Sequence, residues 1–164
     1  MKQKQIKQSY DTTAEIYNSR YGDIQEEKYK AMLSDLIINQ PILDHGCGTG
    51  MLQDFLNKKI FGVDISFKML RKSKEQNIQG DVEKLPFKNN SFAAILSFTS
   101  LQNLNNIEKG LKEIKRISKK DTIIVLTILN KFIGKIKPEI EKQFDIQEIR
   151  ICGEDIGFIL SQKV

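Results

Sequence analysis

Residues 44–50, Asp-His-Gly-Cys-Gly-Thr-Gly, place glycines at 46, 48 and 50 just behind an acid and the chain's single histidine. Glycines so spaced let the backbone turn sharply and come close to a ligand, which a Cβ would block. If a helix follows, its first turn presents free amides and the positive end of its dipole to a carboxylate or phosphate. The spacing is GxGxG with an acid two residues ahead of the first glycine, so the GxGxxG pattern of dinucleotide sites is not met. Twenty positions after Asp44 comes Asp64, whose carboxylate can accept both hydroxyls of a ribose or cap the next helix. Asp81 can accept a hydrogen bond from an exocyclic amine such as adenine N6, or can close a turn. Ser97, Phe98, Thr99 and Gln102 form a fourth group, a polar lip. Taken together and in this order, the four groups outline a site shaped for a nucleoside.

For these residues to meet, each must lie at the end of a strand. The hydrophobic pattern supplies such strands: Pro-Ile-Leu-Asp-His-Gly (41–46), Lys59–Ser66, a short segment at 77–81, the apolar run Phe92–Phe98, and Asp121–Leu129. Helical spacing separates them at Met51–Lys58, from a Ser66 cap to about Glu75, along the stripe Ile107, Leu111, Ile114 and Ile117, and around Lys131–Gln143. Two helices precede the first strand, one at 3–21 carrying Ile6, Tyr10 and Tyr17, and one carrying Tyr29, Met32, Leu33, Leu36 and Ile37. Strands at Phe144–Ile151 and Asp155–Lys163, joined through Cys152 to Asp155, close the chain as a hairpin. Alternating strands and helices predict an α/β doubly wound sheet, and in such sheets ligands bind beyond the carboxyl ends of the strands.

The composition limits the function classes. At 164 residues the chain has the size of one domain, with residues 1–40 as N-terminal helices and lid and 41–164 as the core. No run approaches the roughly 18 apolar residues of a membrane span, and the basic N-terminus lacks a signal-peptide core, so a cytoplasmic, membrane-free protein is expected. Cys47 and Cys152 belong to no CxxC or Cys/His cluster, so no metal site is expected. The net charge of +5 comes from lysines dispersed among acids, a solvated face and not a phosphate track.

With these motifs in place the chain resembles the class I S-adenosylmethionine-dependent methyltransferases, particularly the small ubiquinone-biosynthesis-like and tRNA-wobble-methyltransferase-like branch. Residues 42–50 resemble the family's DxGxGxG loop, 62–70 its ribose-binding strand and helix, 80–92 its adenine-binding loop, and 111–120 the helix before its fifth strand. Residues 10–23 are similar to the segment that closes over the cofactor. The resemblance implies a Rossmann-like, seven-stranded, mostly parallel sheet with a C-terminal antiparallel hairpin. It implies S-adenosyl-L-methionine as cofactor and S-adenosyl-L-homocysteine as product. Asp44 and the backbone from Gly46 through Cys47 and Gly48 to Gly50 would hold the methionine arm, and Asp64 the ribose, with Ile65 and Met69 against the adenine. Asp81 would meet the adenine amine and the Val82 backbone a ring nitrogen, with Ser97 at the cleft. Tyr10, Tyr17 or Tyr21 would cover the site, although each also fits a helix-packing stripe.

Methyl transfer from a sulfonium is an in-line displacement that needs alignment and dryness more than a catalytic group. On the acceptor side the candidates are Thr99, Gln102 and Asn103, which also suit a helix cap. The chain departs from the family in Ala93, where an acid is common, and in Thr99–Asn103, where many small-molecule enzymes carry histidines. No NPPY-like segment follows the fourth strand, which disfavours glutamine or adenine-amine acceptors. The short third strand suggests an exposed sheet edge, where some small relatives acting on tRNA or translation proteins pair with a small zinc-binding activator subunit. The alternatives are a small-molecule methyltransferase acting alone and a non-catalytic S-adenosylmethionine-binding subunit. Strand alternation turns His45 away from Asp44, into packing behind the loop.

Overall fold

In the computed structural model, which describes residues 2–75 and 77–163, the two amino-terminal helices are α1 (Lys2–Thr13) and α2 (Tyr17–Leu33). The core then runs β1 (Ile42–His45), α3 (Met51–Leu56), β2 (Phe61–Asp64), α4 (Phe67–Leu70), β3 (Ile78–Gln79), β4 (Phe92–Phe98), α5 (Ile107–Ile117), β5 (Ser118–Leu129), α6 (Ile133–Gln143), β6 (Phe144–Cys152) and β7 (Asp155–Gln162). The seven strands form one sheet in the order β3-β2-β1-β4-β5-β7-β6. Pairing is parallel from β3 to β5 and antiparallel across β5, β7 and β6. This is the mostly parallel, hairpin-closed sheet that the sequence predicts.

Both faces are covered, so the central strands read as continuous apolar runs. Along β4, Ile95 faces one layer, with Leu43, Val63, Ile124 and Leu126 beside it and α5 and α6 above. Ala94 and Leu96 face the other, shared with Ile42, Val125 and the α2 residues Tyr29, Met32 and Leu33. Helix α5 buries the expected stripe Ile107, Leu111, Ile114 and Ile117. Its first turn is closed by Asn106, whose Oδ1 accepts from the Lys109 amide at 2.9 Å, and Lys115 and Arg116 complement the dipole at its end. Gly157 of β7 lies so close under Met32 that a Cβ there would collide with the thioether, so α2 can settle on the sheet only over a glycine.

Two boundaries differ most from the sequence expectation, while others, such as the start of β5 at Ser118 instead of Asp121, shift by a few residues. The break between the first helices falls at 14–16, and the second runs from Tyr17 through Gly22 to Leu33. Tyr17, Tyr21, Gln25, Lys28 and Met32 follow one another at three- and four-residue steps, and this long stripe outweighs the glycine; Leu36 and Ile37 lie past its end. Helix α4 stops at Leu70, short of Glu75. Beyond it no apolar residue invites burial, and the Ser73 hydroxyl instead accepts from the amide of Glu75 and the side chain of Asn77.

The segment between β3 and β4 is fastened from beneath. Arg116 donates to the carbonyls of Leu85 (3.1 Å) and Phe87 (2.7 Å) and to Asn89 Oδ1 (3.0 Å), while its partner Glu113 accepts from the Leu85 amide at 2.8 Å. Buried Glu83 ties the same segment to the backbone amides of Asn105 (2.6 Å) and Asn106 (3.2 Å). We predict that Arg116→Ala lowers stability by about 1–3 kcal/mol in urea unfolding, since three charge-assisted bonds disappear while their acceptors remain partly shielded. An unchanged midpoint would show that the loop holds its shape without the clamp.

Candidate active site

At the carboxyl ends of the parallel strands, where the order steps from β1 to β4, lies a cavity of about 860 Å³. Its floor on one side is the turn after β1. Gly46, Gly48 and Gly50 all have positive φ, at 79°, 53° and 83°. A Cβ on Gly46 would strike the Ser100 side chain, and one on Gly48 would sit 3.3 Å from Met69 Cε, so the floor stays low only with glycine there. The turn is latched to β2 through the Gly46 and Cys47 amides, which donate to the Val63 carbonyl at 2.9 and 3.1 Å.

Asp64 closes the β2 end. Its Oδ2 accepts from the Gly48 amide at 2.9 Å and its Oδ1 from the Ser66 amide at 2.8 Å, so it caps the following turn and lines the cavity together. One backbone bond per oxygen leaves further lone pairs for a diol. Burial raises its carboxyl above the usual range, opposed by those two amides. Ser66 caps α4, its hydroxyl oxygen accepting from the Met69 amide at 3.2 Å. Asp81 closes a turn, its Oδ1 accepting from the Glu83 amide at 2.8 Å, and the residue lines the cavity beside Val82.

Asp44 is buried, and its Oδ2 has no hydrogen-bond partner among the described residues. Burial, with the nearby Asp64 charge, pushes its carboxyl up to about 8 from an ordinary value of 3.8. Cys47 is also buried, and burial pushes its thiol up, so it is not a thiolate. Ser97 does not reach the cavity: it is buried and its Oγ lies 3.1 Å from His45 Nδ1. His45 itself is buried away from Asp44, and burial lowers its imidazole to about 4, so it is neutral. Gly50 shapes the turn from outside the cavity wall, its amide donating to the Cys47 carbonyl at 3.0 Å.

The N-terminal helices roof the cleft. Tyr10, Tyr17 and Tyr21 form a ladder with ring centroids 6.2 and 5.0 Å apart, and all three line the cavity. Four polar ties hold this roof: Tyr10 Oη accepts from Asn103 Nδ2 (2.9 Å), Asp11 accepts from the Ser66 hydroxyl (2.6 Å), Glu15 pairs with Lys72, and Asn18 accepts from the Thr49 hydroxyl. Burial raises the Tyr10 and Tyr17 phenols, which therefore stay neutral.

Over β4, β5 and β7 the cavity has a second floor that the sequence did not single out. Lys28 Nζ lies 3.0 Å from Asp155 Oδ1 and donates to Thr99 Oγ1 at 2.9 Å, and the Thr99 hydroxyl donates to Asp155 Oδ2 at 2.7 Å. Thr99 holds φ at 54°, unusual for a β-branched residue, with its amide bonded to the Thr127 carbonyl and hydroxyl. Gln102 Nε2 donates to the Thr99 carbonyl at 3.0 Å. Of the acceptor-side candidates, Thr99 and Gln102 thus belong to one cluster, while Asn103 serves the roof. Lys28 escapes sequence reading because a lysine among glutamates in a helix looks like a solvated face.

The residues fit S-adenosylmethionine. Gly46 and Gly48 face the cavity without a Cβ, Asp64 keeps lone pairs that a ribose could use, and Asp44 holds an unpartnered oxygen in a recess that shares these two glycines. Asp44→Asn tests the electrostatics. Because the folded carboxyl sits near 8 and the unfolded one near 3.8, the folded chain keeps a proton that the unfolded chain releases. The stability this gives is complete below the unfolded value and is lost as pH rises towards 8. The variant should therefore raise Tm relative to the parent by at least ~3 °C more at pH 8 than at pH 5.5 in thermal melts. Equal shifts at both pH values would contradict a protonated Asp44.

Residues 43–126 match the methyltransferase domain family. The chain is 35% identical over 135 residues to the uncharacterised protein MJ1252 of Methanocaldococcus jannaschii, covering 76% of this chain and 52% of that one. It is 32% identical over 117 residues to the human mitochondrial arginine-hydroxylase NDUFAF5, covering 63% and 34%. The chain thus spans about half or less of the length of these relatives. Among solved structures, a chain from the complex of the Haloferax volcanii Trm112 methyltransferase activator with a methyltransferase has the same fold, with a TM-score of 0.78, 13% identity and coverage of 94% and 98%. With the matched segment spanning β1 to β5 and the aspartates at their strand ends, the chain belongs to the methyltransferase domain family, the class I enzymes that use S-adenosylmethionine.

Proposed function

We propose that the chain transfers a methyl group to a tRNA or a translation protein seated over β4, β5 and β7, aided by a small zinc-binding activator at the β3 edge. The observation that carries this reading is the continuity of one cavity across two differently equipped halves, the aspartate set over β1 to β3 and the Lys28, Thr99 and Asp155 cluster beyond β4. S-adenosylmethionine, when bound, supplies an electrophilic methyl group on a positively charged sulfur. The chain's part is alignment and exclusion of water: the glycine turn, Asp64 and Asp81 hold one side, and the tyrosine roof keeps solvent out.

Asp155 is held by a cation and a hydroxyl, so it acts by fixing Thr99 at the cleft mouth and not by taking a proton. A buried ion pair costs desolvation, and its survival here fits a need for fixed geometry over stability. At the opposite edge, β3 is two residues long with Ile78 partly exposed, and Phe61 on the neighbouring β2 is exposed as well. An outer strand with apolar side chains and unpaired backbone groups suits β-augmentation by a partner. That a chain with the same fold comes from a complex of the Haloferax Trm112 activator with a methyltransferase supports a partner of this kind.

Asp155→Asn should reduce kcat for label transfer from methyl-tritiated S-adenosylmethionine by about tenfold or more while changing cofactor Kd by less than about twofold. The assay uses the chain co-expressed with a Trm112-type activator, with tRNA and ribosomal protein fractions as acceptors. A loss of cofactor affinity equal to the loss of rate would place Asp155 in the wrong half. For the partner, co-expression should yield a 1:1 complex that Ile78→Asp disrupts. A solitary chain that methylates small molecules at full rate would favour the small-molecule reading instead.

A further inference from the structure

A recess of about 30 Å³ adjoins the main cavity and shares Tyr17, Gln25, Gly46 and Phe98 with it. That volume suits one water-sized head group. Two buried oxygens in its wall have no hydrogen-bond partner among the described residues: Asp44 Oδ2 from β1 and Gln25 Oε1 from α2. Both residues are more than nine-tenths buried, at 4% and 7% exposure. Tyr17 lines the recess beside Gln25, and the amide oxygen of Gln25 is the end that lacks a partner. No lysine, arginine or histidine lines the recess. Buried polar oxygens without partners are rare in folded proteins, and two in one recess, one of them a carboxyl that ionises when a cation joins it, call for a compact donor carrying positive charge.

We propose that Gln25 is a cofactor-contacting residue whose amide oxygen, together with the Asp44 carboxylate, receives the α-ammonium of the methionine arm. The arm is thereby read from helix α2 as well as from the glycine turn, and Tyr17, which shares the recess wall with Gln25, joins the aromatic roof to that contact. A primary ammonium offers three N–H donors, enough for Asp44, Gln25 and one more acceptor, whereas water offers two. The inference rests on S-adenosylmethionine being the cofactor, and it assigns a residue that neither the glycine motif nor the aspartates indicate.

The test is calorimetry with three ligands: S-adenosylhomocysteine, its des-amino analogue, and 5′-methylthioadenosine, which lacks the whole amino-acid arm. Gln25→Leu should weaken S-adenosylhomocysteine by about tenfold and change the other two by less than about twofold. Gln25→Glu, which keeps an oxygen in place, should retain S-adenosylhomocysteine binding within about threefold and guards against a leucine variant that fails to fold. Equal weakening of all three ligands by Gln25→Leu would mean that Gln25 only supports Tyr17, and unchanged binding of all three would mean a recess filled by water; either overturns the proposal. Should none of the three bind the unaltered chain, the cofactor assignment falls first, which separates that failure from a failure of Gln25 alone.

Discussion

The carboxylate of Asp64 joins the two loops that frame one half of the cleft. One oxygen takes the Gly48 amide from the turn after β1, and the other takes the Ser66 amide at the start of the turn after β2. This bridge adds to the Gly46 and Cys47 amides on the Val63 carbonyl, which latch the start of the same turn to β2. Buried backbone amides need acceptors, and here a single acid serves one on each loop while still facing the cavity. The bridge extends outward through Ser66, whose hydroxyl donates to Asp11 of α1. Cradle, capped helix and roof therefore share one chain of hydrogen bonds.

The two halves of the cleft manage charge in opposite ways. Over β1 and β2, no lysine or arginine among the described residues pairs with buried Asp44 or half-buried Asp64, so desolvation raises both carboxyls, with the Asp64 charge adding to it at Asp44 and the Asp11 charge at Asp64. Such a site gains most from a ligand that brings its own positive charge. Over β4, β5 and β7, Asp155 is already matched by Lys28 at 3.0 Å, and the pair fixes a backbone kink at Thr99. A ligand there meets a neutralised, preorganised surface. The sulfonium and ammonium of S-adenosylmethionine belong to the first environment, and an uncharged or weakly charged nucleophile suits the second.

The sheet and the residues that line the cavity over β1 to β3 were legible in the sequence because their signals are local. Glycine spacing, an acid at each strand end and continuous apolar runs such as Phe92–Phe98 depend on neighbours a few residues away. Helix boundaries were less so: the tyrosine stripe outlasted Gly22, and α4 ended where apolar residues ran out. Ser97 looked like a cleft residue from its place at a strand end, yet the alternation of β4 turns it towards His45. Gln25, Lys28 and Asp155 could not be picked out, since each acquires its meaning from residues 19 to 127 positions away that only the folded sheet brings close. His45, conspicuous as the chain's only histidine, is a neutral packing residue whose imidazole burial holds near 4.

That the cleft over β1 and β2 holds the nucleoside and methionine arm through the three aspartates is the claim from which the rest follows. A crystal structure of the chain grown with S-adenosylhomocysteine tests it most directly. The account predicts the ribose hydroxyls on Asp64, the adenine amine on Asp81 and the methionine arm along Gly46 to Gly48, under the tyrosine roof. A ligand seated elsewhere, or one whose ribose does not touch Asp64, would contradict it.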